Sequence, residues 1–106
     1  MRETPHNYSN NQLYTYTYSK PGASQVAVHF ERITTEANYD FVRIKNGAGT
    51  VLWSVSGNVI TSGAGNAFGR TDGWAIVSGS TITVELTTDY SVTAWGLRTD
   101  VASSFQ

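Results

Sequence analysis

Three carboxylates lie where polar loops lead into strands, and their types and placement suit the binding of a hard cation. Glu36 and Asp40 are four residues apart in a short loop, directly before an apolar segment. Asp89 lies far along the chain, again just before a predicted strand. A hard divalent cation takes about six to eight oxygen ligands from carboxylates, carbonyls and water. The sequence therefore predicts that the three acids converge at one end of the fold and hold Ca²⁺.

Neutral ligands for the same ion are available beside the third acid. The main-chain carbonyl groups around Ser91 and Val92 follow Asp89 in the chain and are candidate ligands for a shared cation. Converging carboxylates without a cation would repel one another, and the pKa of at least one would rise. Spacing alone leaves open the alternative that the acids are three separate, solvated surface groups.

No motif for covalent or cofactor chemistry competes with this interpretation. No serine lies in a G-x-S-x-G motif, and the glycine-rich segment 63–69 is not followed by a helical pattern. The two histidines, His6 and His29, lack the spacing of a zinc site, and His29 is expected at the surface of its strand. The sequence therefore predicts a binding module that is not an enzyme.

The elements that must position the acids are β-strands, because alternation of period two recurs and no segment has a helical period. Residues 1–12 are predicted to be loop or a first edge segment, and the tail after residue 101 is expected to be loose. About eight short strands joined by turns predict an all-β fold, an antiparallel two-sheet jelly-roll-like β-sandwich. The predicted strands span residues 13–18, 25–31, 39–45, 50–55, 59–60, 73–77, 80–86 and 92–99.

Length and composition restrict the class of protein. A chain of 106 residues has the size of one domain, and a net charge of −1 disfavours nucleic-acid binding. The absence of cysteine excludes disulfides and thiolate zinc sites. No apolar run is long enough to span a bilayer, and no signal peptide is recognisable. We expect residues 1–106 to form a single domain excised from a larger secreted, extracellular protein, and its oligomeric state is not predicted.

Several short motifs, in order, carry a family resemblance across most of the chain. Residues 5–11 are similar to an opening P-x-Y-x-N-N segment, and residues 20–23 match the turn before a second strand. Residues 28–42 match the pattern F…E…YD-[YF]-[VIL], and residues 82–97 match a late segment containing D-x-S. In this order the chain resembles a CUB domain, the extracellular β-sandwich module, in the cysteine-free form of secreted bacterial proteins.

The resemblance implies a calcium site and names its ligands. The motif glutamate corresponds to Glu36, although a shortened loop leaves Glu31 as the other candidate for this position. The aspartate of YD corresponds to Asp40 and the late aspartate to Asp89. A main-chain oxygen after the late aspartate falls at Ser91, with Val92 nearby, and the tyrosine that steadies the glutamate corresponds to Tyr8.

Two binding functions and one catalytic function follow as hypotheses. The first is a non-catalytic, calcium-binding accessory module of a secreted bacterial protein, which contacts a protein or substrate through basic side chains of the partner. The alternative is a carbohydrate-binding β-sandwich with a structural calcium and exposed aromatic residues. A glycosidase with paired acids is the weakest, because no cleft is evident. The tryptophans and the tyrosine stripe of residues 14–18 are expected to pack in the core or at its edges.

Overall fold

The computed structural model describes residues 1–106, which form nine β-strands and no helix. Accordingly, it contains no helix with the length and apolar character needed to cross a membrane. The predicted positions of the strands agree with the observed ones to within a few residues, except for the last. The strands are β1 (Arg2–Glu3), β2 (Leu13–Ser19), β3 (Gln25–Thr34), β4 (Phe41–Asn46), β5 (Val51–Val55), β6 (Asn58–Ile60), β7 (Trp74–Ser78), β8 (Thr81–Thr87) and β9 (Gly96–Phe105).

The strands form two antiparallel sheets that pack face to face. The four-stranded sheet has the order β2-β8-β4-β5. In the five-stranded sheet the order is β1-β9-β3-β6, and β7 pairs with the first half of β3. The prediction of an all-β, antiparallel two-sheet sandwich is therefore confirmed.

The core lies between the sheets and is built from alternate residues of the strands. On β8, the side chains of Ile82, Val84 and Leu86 point inward, while the intervening threonines and glutamate are only half-buried. Burial of each such aliphatic side chain contributes about 1.5–3 kcal/mol to folding. The tyrosine stripe of β2 packs against the margin of this core, as expected.

In strand β3, the residues that face the core change from even-numbered to odd-numbered positions part-way along the strand. Val26, Val28 and Phe30 are buried, and the next fully buried side chain is Ile33, three residues on. A β-bulge against β9 accounts for this change, since Phe30 pairs with Thr99 whereas Arg32 pairs with the adjacent Arg98. Both bulge residues, Glu31 and Arg32, consequently line a cleft on the outer face of the five-stranded sheet.

Strand register brings four loops to one end of the sandwich. Thr87, at the end of β8, pairs with the first residue of β2 and also with the first residue of β4. At the same end, Thr34 of β3 pairs with Gly96 of β9. Loops 4–12, 35–40, 56–57 and 88–95 therefore meet there, and they carry all three candidate acids.

Two expectations about the last strand and the tail are wrong. Strand β9 begins at Gly96 rather than residue 92, and it continues to Phe105 instead of ending in a loose tail. The carbonyl of Phe105 accepts hydrogen bonds from the N–H (2.8 Å) and the hydroxyl (3.1 Å) of Ser24. The last residues lack an apolar alternation, so their order depends on backbone pairing with the central strand β3, which sequence patterns do not reveal.

His29 lies on the outer face of its strand, as expected, but it is half-buried rather than fully exposed because a loop covers its ring. Nε2 donates to the carbonyls of Gly63 (2.9 Å) and Asp72 (3.1 Å), and Nδ1 lies 2.7 Å from Oδ1 of Asp100. Carbonyls only accept, so a proton on both nitrogens satisfies all three contacts. Burial lowers the pKa of His29, but the hydrogen bonds to Asp100 and Gly63 outweigh it, and the net pKa is raised above 6.5.

We expect Asp100→Asn to lower the pKa of His29, because the carboxylate favours the imidazolium. With its raised pKa, His29 stabilises the wild-type fold fully below pH 6.5, and this stabilisation is lost as the pH rises through the folded pKa. The free energy of unfolding should depend less on pH over this interval in the variant. Histidine NMR titration and urea unfolding measure both quantities. Glu85→Gln, which removes a carboxylate from the other sheet, is the control, and a wild-type His29 pKa below 6.5 would contradict the assignment.

Candidate metal centre

Three acidic side chains from two distant loops converge at the loop end of the sandwich. Glu36 and Asp40 lie on the loop between β3 and β4, and Asp89 lies on the loop between β8 and β9. One carboxylate oxygen from each residue lies within 4.8 Å of the other two. The structure therefore brings together the three acids that the sequence analysis singled out.

The loop that carries Glu36 and Asp40 is a tight turn held from both sides. The N–H of Asp40 donates to the carbonyl of Glu36 at 3.1 Å, which closes the turn. The Thr35 hydroxyl donates to the carbonyl of Asp40 at 2.8 Å and accepts from the N–H of Gly57 at 2.9 Å. Asn38 takes the left-handed conformation, with φ of 69°, at the tip. The two carboxylates are thus directed to the same side of the loop.

Asp40 is fully buried, and both of its carboxylate oxygens accept hydrogen bonds. Oδ2 accepts from the Tyr8 hydroxyl at 2.6 Å, and Oδ1 accepts from the N–H of Asp89 at 2.9 Å. The hydrogen bond from the Asp89 N–H links the loop between β8 and β9 directly to the Asp40 carboxylate. A buried carboxylate with two donors is fixed in orientation, so Asp40 is the rigid centre of the cluster.

Tyr8, from the core side, connects Glu36 and Asp40 of the loop between β3 and β4. Its hydroxyl donates to Asp40 and accepts a hydrogen bond from the N–H of Glu36 at 3.1 Å. Burial, together with the hydrogen bond to Asp40, raises the pKa of Tyr8, so the hydroxyl stays protonated and donating. Gly96 makes room for this ring, because a Cβ there would collide with the Thr4 hydroxyl and lie 3.3 Å from the ring.

Asp89 is held by hydrogen bonds to the loop of residues 4–12 and within its own loop. Its carbonyl accepts from the N–H of Asn11 at 2.7 Å, and Oδ1 accepts from the N–H of Ser91 at 3.3 Å. Its neighbour Thr88 donates its hydroxyl to the carbonyl of Ser9 at 2.8 Å. Val92 adopts a left-handed backbone with φ of 64°. The segment from Ser91 to Val92, which was expected to supply carbonyl ligands, lies in this same loop.

Glu36 carries the unbalanced charge of the site. Its Oε1 atom is buried and has no hydrogen-bond partner. Burial raises the pKa of Glu36, and the nearby carboxylates of Asp89 and Asp40 raise it further. None of the five ion pairs in the structure involves any of the three acids. The cluster is therefore an acidic group with one buried, unpaired oxygen and no cationic side chain to balance its charge.

The alternative glutamate, Glu31, lies elsewhere. Its Oε2 atom is 3.0 Å from Nε of Arg98 on the outer face of the five-stranded sheet. The structure thus places Glu36 at the cluster and Glu31 outside it. The two threonines that precede acids, Thr35 and Thr88, were not recognised as positioning residues, although threonine hydroxyls often hydrogen-bond to nearby backbone groups in loops.

Of the comparisons with known proteins, the structural one gives a match, and it agrees with the two-sheet fold described above. Neither a protein-family model nor a curated protein sequence matches the chain. Among solved structures, the chain is similar to the CUB1-EGF-CUB2 region of human MASP-1/3, with a TM-score of 0.75 and 18% sequence identity. The alignment covers 97% of this chain. The chain has a CUB-like fold.

This CUB-like sandwich spans 40% of the length of the human chain that it matches. At 18% identity the likeness establishes the fold alone, which is the fold expected from the motifs. The acidic cluster has a donor set that could bind a metal ion.

Tyr8→Phe should destabilise the fold by about 1–3 kcal/mol, because it leaves the Asp40 carboxylate without one donor and the Glu36 N–H without an acceptor. Urea unfolding with chelator present measures the change. Tyr14→Phe is the matched control, since its hydroxyl accepts only the exposed N–H of Ser9 at 3.0 Å. Equal losses in the two variants would show that Tyr8 does not organise the acids.

Proposed function

We propose that this chain is a non-catalytic, calcium-binding interaction module of a secreted bacterial protein. The observation that carries the proposal is the convergence of three carboxylates with no cationic partner, one of which has a buried, unpaired oxygen. A buried acceptor that lacks a donor is unfavourable unless it is protonated or binds a cation. Oxygen ligands alone, without nitrogen or sulfur, favour a hard cation such as calcium.

The ligands would come from both loops. Glu36, Asp40 and Asp89 would supply the carboxylates, and the carbonyls of Ser91 and Val92 are the proposed neutral ligands. Tyr8 would hold the first two acids in place from behind. A bound calcium ion would neutralise the mutual repulsion of the acids and link the loop after β3 to the loop after β8.

The surface around the acids is suited to a protein partner. Tyr39 and Tyr90, the neighbours of Asp40 and Asp89, are 63% and 80% exposed, and Val92 is 59% exposed. Exposed tyrosines beside charged groups are typical of protein interfaces. Carboxylates that keep residual negative charge around a calcium ion would accept a lysine or arginine of the partner. We propose that the partner binds through such a basic side chain.

The alternative functions have less support. All three tryptophans are half-buried, and each contacts another aromatic ring: Trp53 with Phe68, Trp74 with His29 and Trp95 with His6. A glycan that stacks on an exposed tryptophan is therefore disfavoured. A glycosidase needs a cleft in which a sugar can lie between its two carboxyl groups. None of the four surface clefts is lined by the acids.

Calcium should stabilise the protein against unfolding. For a dissociation constant of about 10⁻⁴–10⁻³ M, which is usual for extracellular modules, ~10 mM calcium adds about 1.4–2.7 kcal/mol. The melting temperature should rise by several degrees relative to the protein with chelator. Thermal and urea unfolding with calcium and with chelator measure the effect.

The matched variants separate a specific site from general ionic effects. Asp89→Asn removes one proposed ligand charge and should abolish most of the calcium-dependent rise. Glu85→Gln removes a carboxylate that pairs with Lys45 at 2.9 Å on the outer face of the four-stranded sheet, and its calcium response should remain. An unchanged melting temperature in millimolar calcium would contradict the proposed site.

A basic peptide should bind the calcium-loaded protein through lysine. A short peptide with one lysine should bind about tenfold or more tightly than the same peptide with an acetylated lysine, because acetylation removes the charge. The difference should disappear in chelator, whereas Tyr39→Ala with Tyr90→Ala should weaken the binding of both peptides. Fluorescence anisotropy of a labelled peptide measures it. Equal binding of both peptides would rule out recognition by charge.

A further inference from the structure

A second polar site lies on the outer face of the five-stranded sheet, away from the acidic cluster. It is a cleft of about 440 Å³ between β3, β9 and the loop that contains Ser62 and Gly63. This volume lies within the range of small-molecule sites, about 300–1,000 Å³. The wall is fixed, because the N–H of Gly63 donates to the carbonyl of Glu31 at 2.8 Å and the Gly63 carbonyl accepts from His29.

The charges in the cleft do not balance. Glu31 pairs with Arg98 at 3.0 Å, and Asp100 pairs with His29 at 2.7 Å. Arg32 also lines the cleft, and no carboxylate lies within ion-pair distance of it. Each acid in the cleft thus has its own cationic partner, and no acid neutralises the positive charge of Arg32.

The Arg32 guanidinium is held in one orientation. Its Nε donates to the Thr34 hydroxyl at 3.1 Å, and its Cζ lies 4.4 Å from the centre of the Trp95 ring. The two terminal nitrogens make no hydrogen bond within the protein. An arginine fixed by an aromatic ring and one hydrogen bond loses little side-chain entropy when its free edge binds a carboxylate.

The platform under Arg32 is itself rigid. The His6 ring stacks on Trp95 with centroids 3.7 Å apart and an angle of 10° between the planes. The two nitrogens of His6 contact the Trp95 carbonyl and Glu3, each at 2.6 Å. The β-bulge of β3 directs Arg32 toward this platform, and bulges often serve to redirect a functional side chain.

We propose that this cleft binds a sugar acid, with the ligand carboxylate on the free edge of Arg32. Glu31 and Asp100 each keep acceptor positions beyond their ion pairs, and these suit the hydroxyl groups of a sugar ring. The Ser62 hydroxyl at the rim adds a further polar partner. An acidic peptide would instead bring extra carbonyl acceptors against Glu31 and Asp100, so a uronic acid fits the cleft better.

The test uses digalacturonate as the probe and its methyl ester as the matched neutral ligand. Binding is measured by NMR chemical-shift titration in chelator, because uronates bind calcium and the acidic cluster would otherwise interfere. Digalacturonate should shift the indole N–H signal of Trp95 and the side-chain signal of Arg32. Removal of the charge–charge contact should weaken binding about ten- to a hundredfold, both for the methyl ester and for Arg32→Gln.

Arg43→Gln is the matched control variant. Arg43 also lies over an aromatic ring, Phe41, at 5.0 Å and has no carboxylate partner, but it lies on the other sheet and lines no cleft. Its digalacturonate affinity should equal that of the wild type. Arg32→Lys keeps the charge but loses the planar fork and should bind with intermediate affinity.

Three outcomes would overturn the proposal. These are the absence of digalacturonate binding to the wild type, equal affinity for the methyl ester, and tighter binding of a glutamate-rich peptide than of the sugar acid. The ester comparison uses the wild-type protein, so it remains decisive even if Arg32→Gln unfolds. Every titration is made without calcium. Failure of the sugar-acid proposal would therefore not bear on the function proposed for the acidic cluster.

Discussion

Repulsion among three carboxylates is the constraint on which the loop end of this sandwich depends. Asp40 is fully buried, and the Tyr8 hydroxyl and the Asp89 N–H bind its two oxygens. Glu36 has no such partner for its buried oxygen, and its pKa is raised by burial and by the neighbouring charges. The fold thus holds together an arrangement that is unfavourable without a proton or a cation, and groups with perturbed pKa values tend to cluster at functional sites.

Most of the hydrophobic core lies apart from these acids. Seventeen buried residues fill the space between the sheets, and the acids lie on loops beyond the ends of the strands. Tyr8 joins the two regions: it belongs to the buried core, and its hydroxyl reaches the acids. Any cation or partner that engages the loops therefore acts on groups in contact with the core, and binding and stability are expected to be linked.

The opposite imbalance occurs on the outer face of the five-stranded sheet. There the acids are paired and Arg32 is left without a carboxylate. The chain as a whole has a net charge of −1, so neither imbalance is visible in the total. The two sites differ in the sign of their free charge, and this difference favours a cation with a basic partner at one and an anionic ligand at the other.

Local patterns in the chain were sufficient for the class of fold and most strand positions, because alternation of period two is a local feature. Loop position made the three acids candidates, but spacing alone left them as possible separate surface groups, and the family resemblance left Glu31 as an alternative to Glu36. Local patterns were insufficient for the last strand, the covered position of His29 and the cleft at Arg32. The change of buried positions from Phe30 to Ile33 is a local trace of the bulge, but only its pairing with β9 shows where Arg32 lies. Convergence of Glu36 and Asp89, 53 positions apart in the chain, was decided by strand register, since register determines which loops share an end of the sandwich.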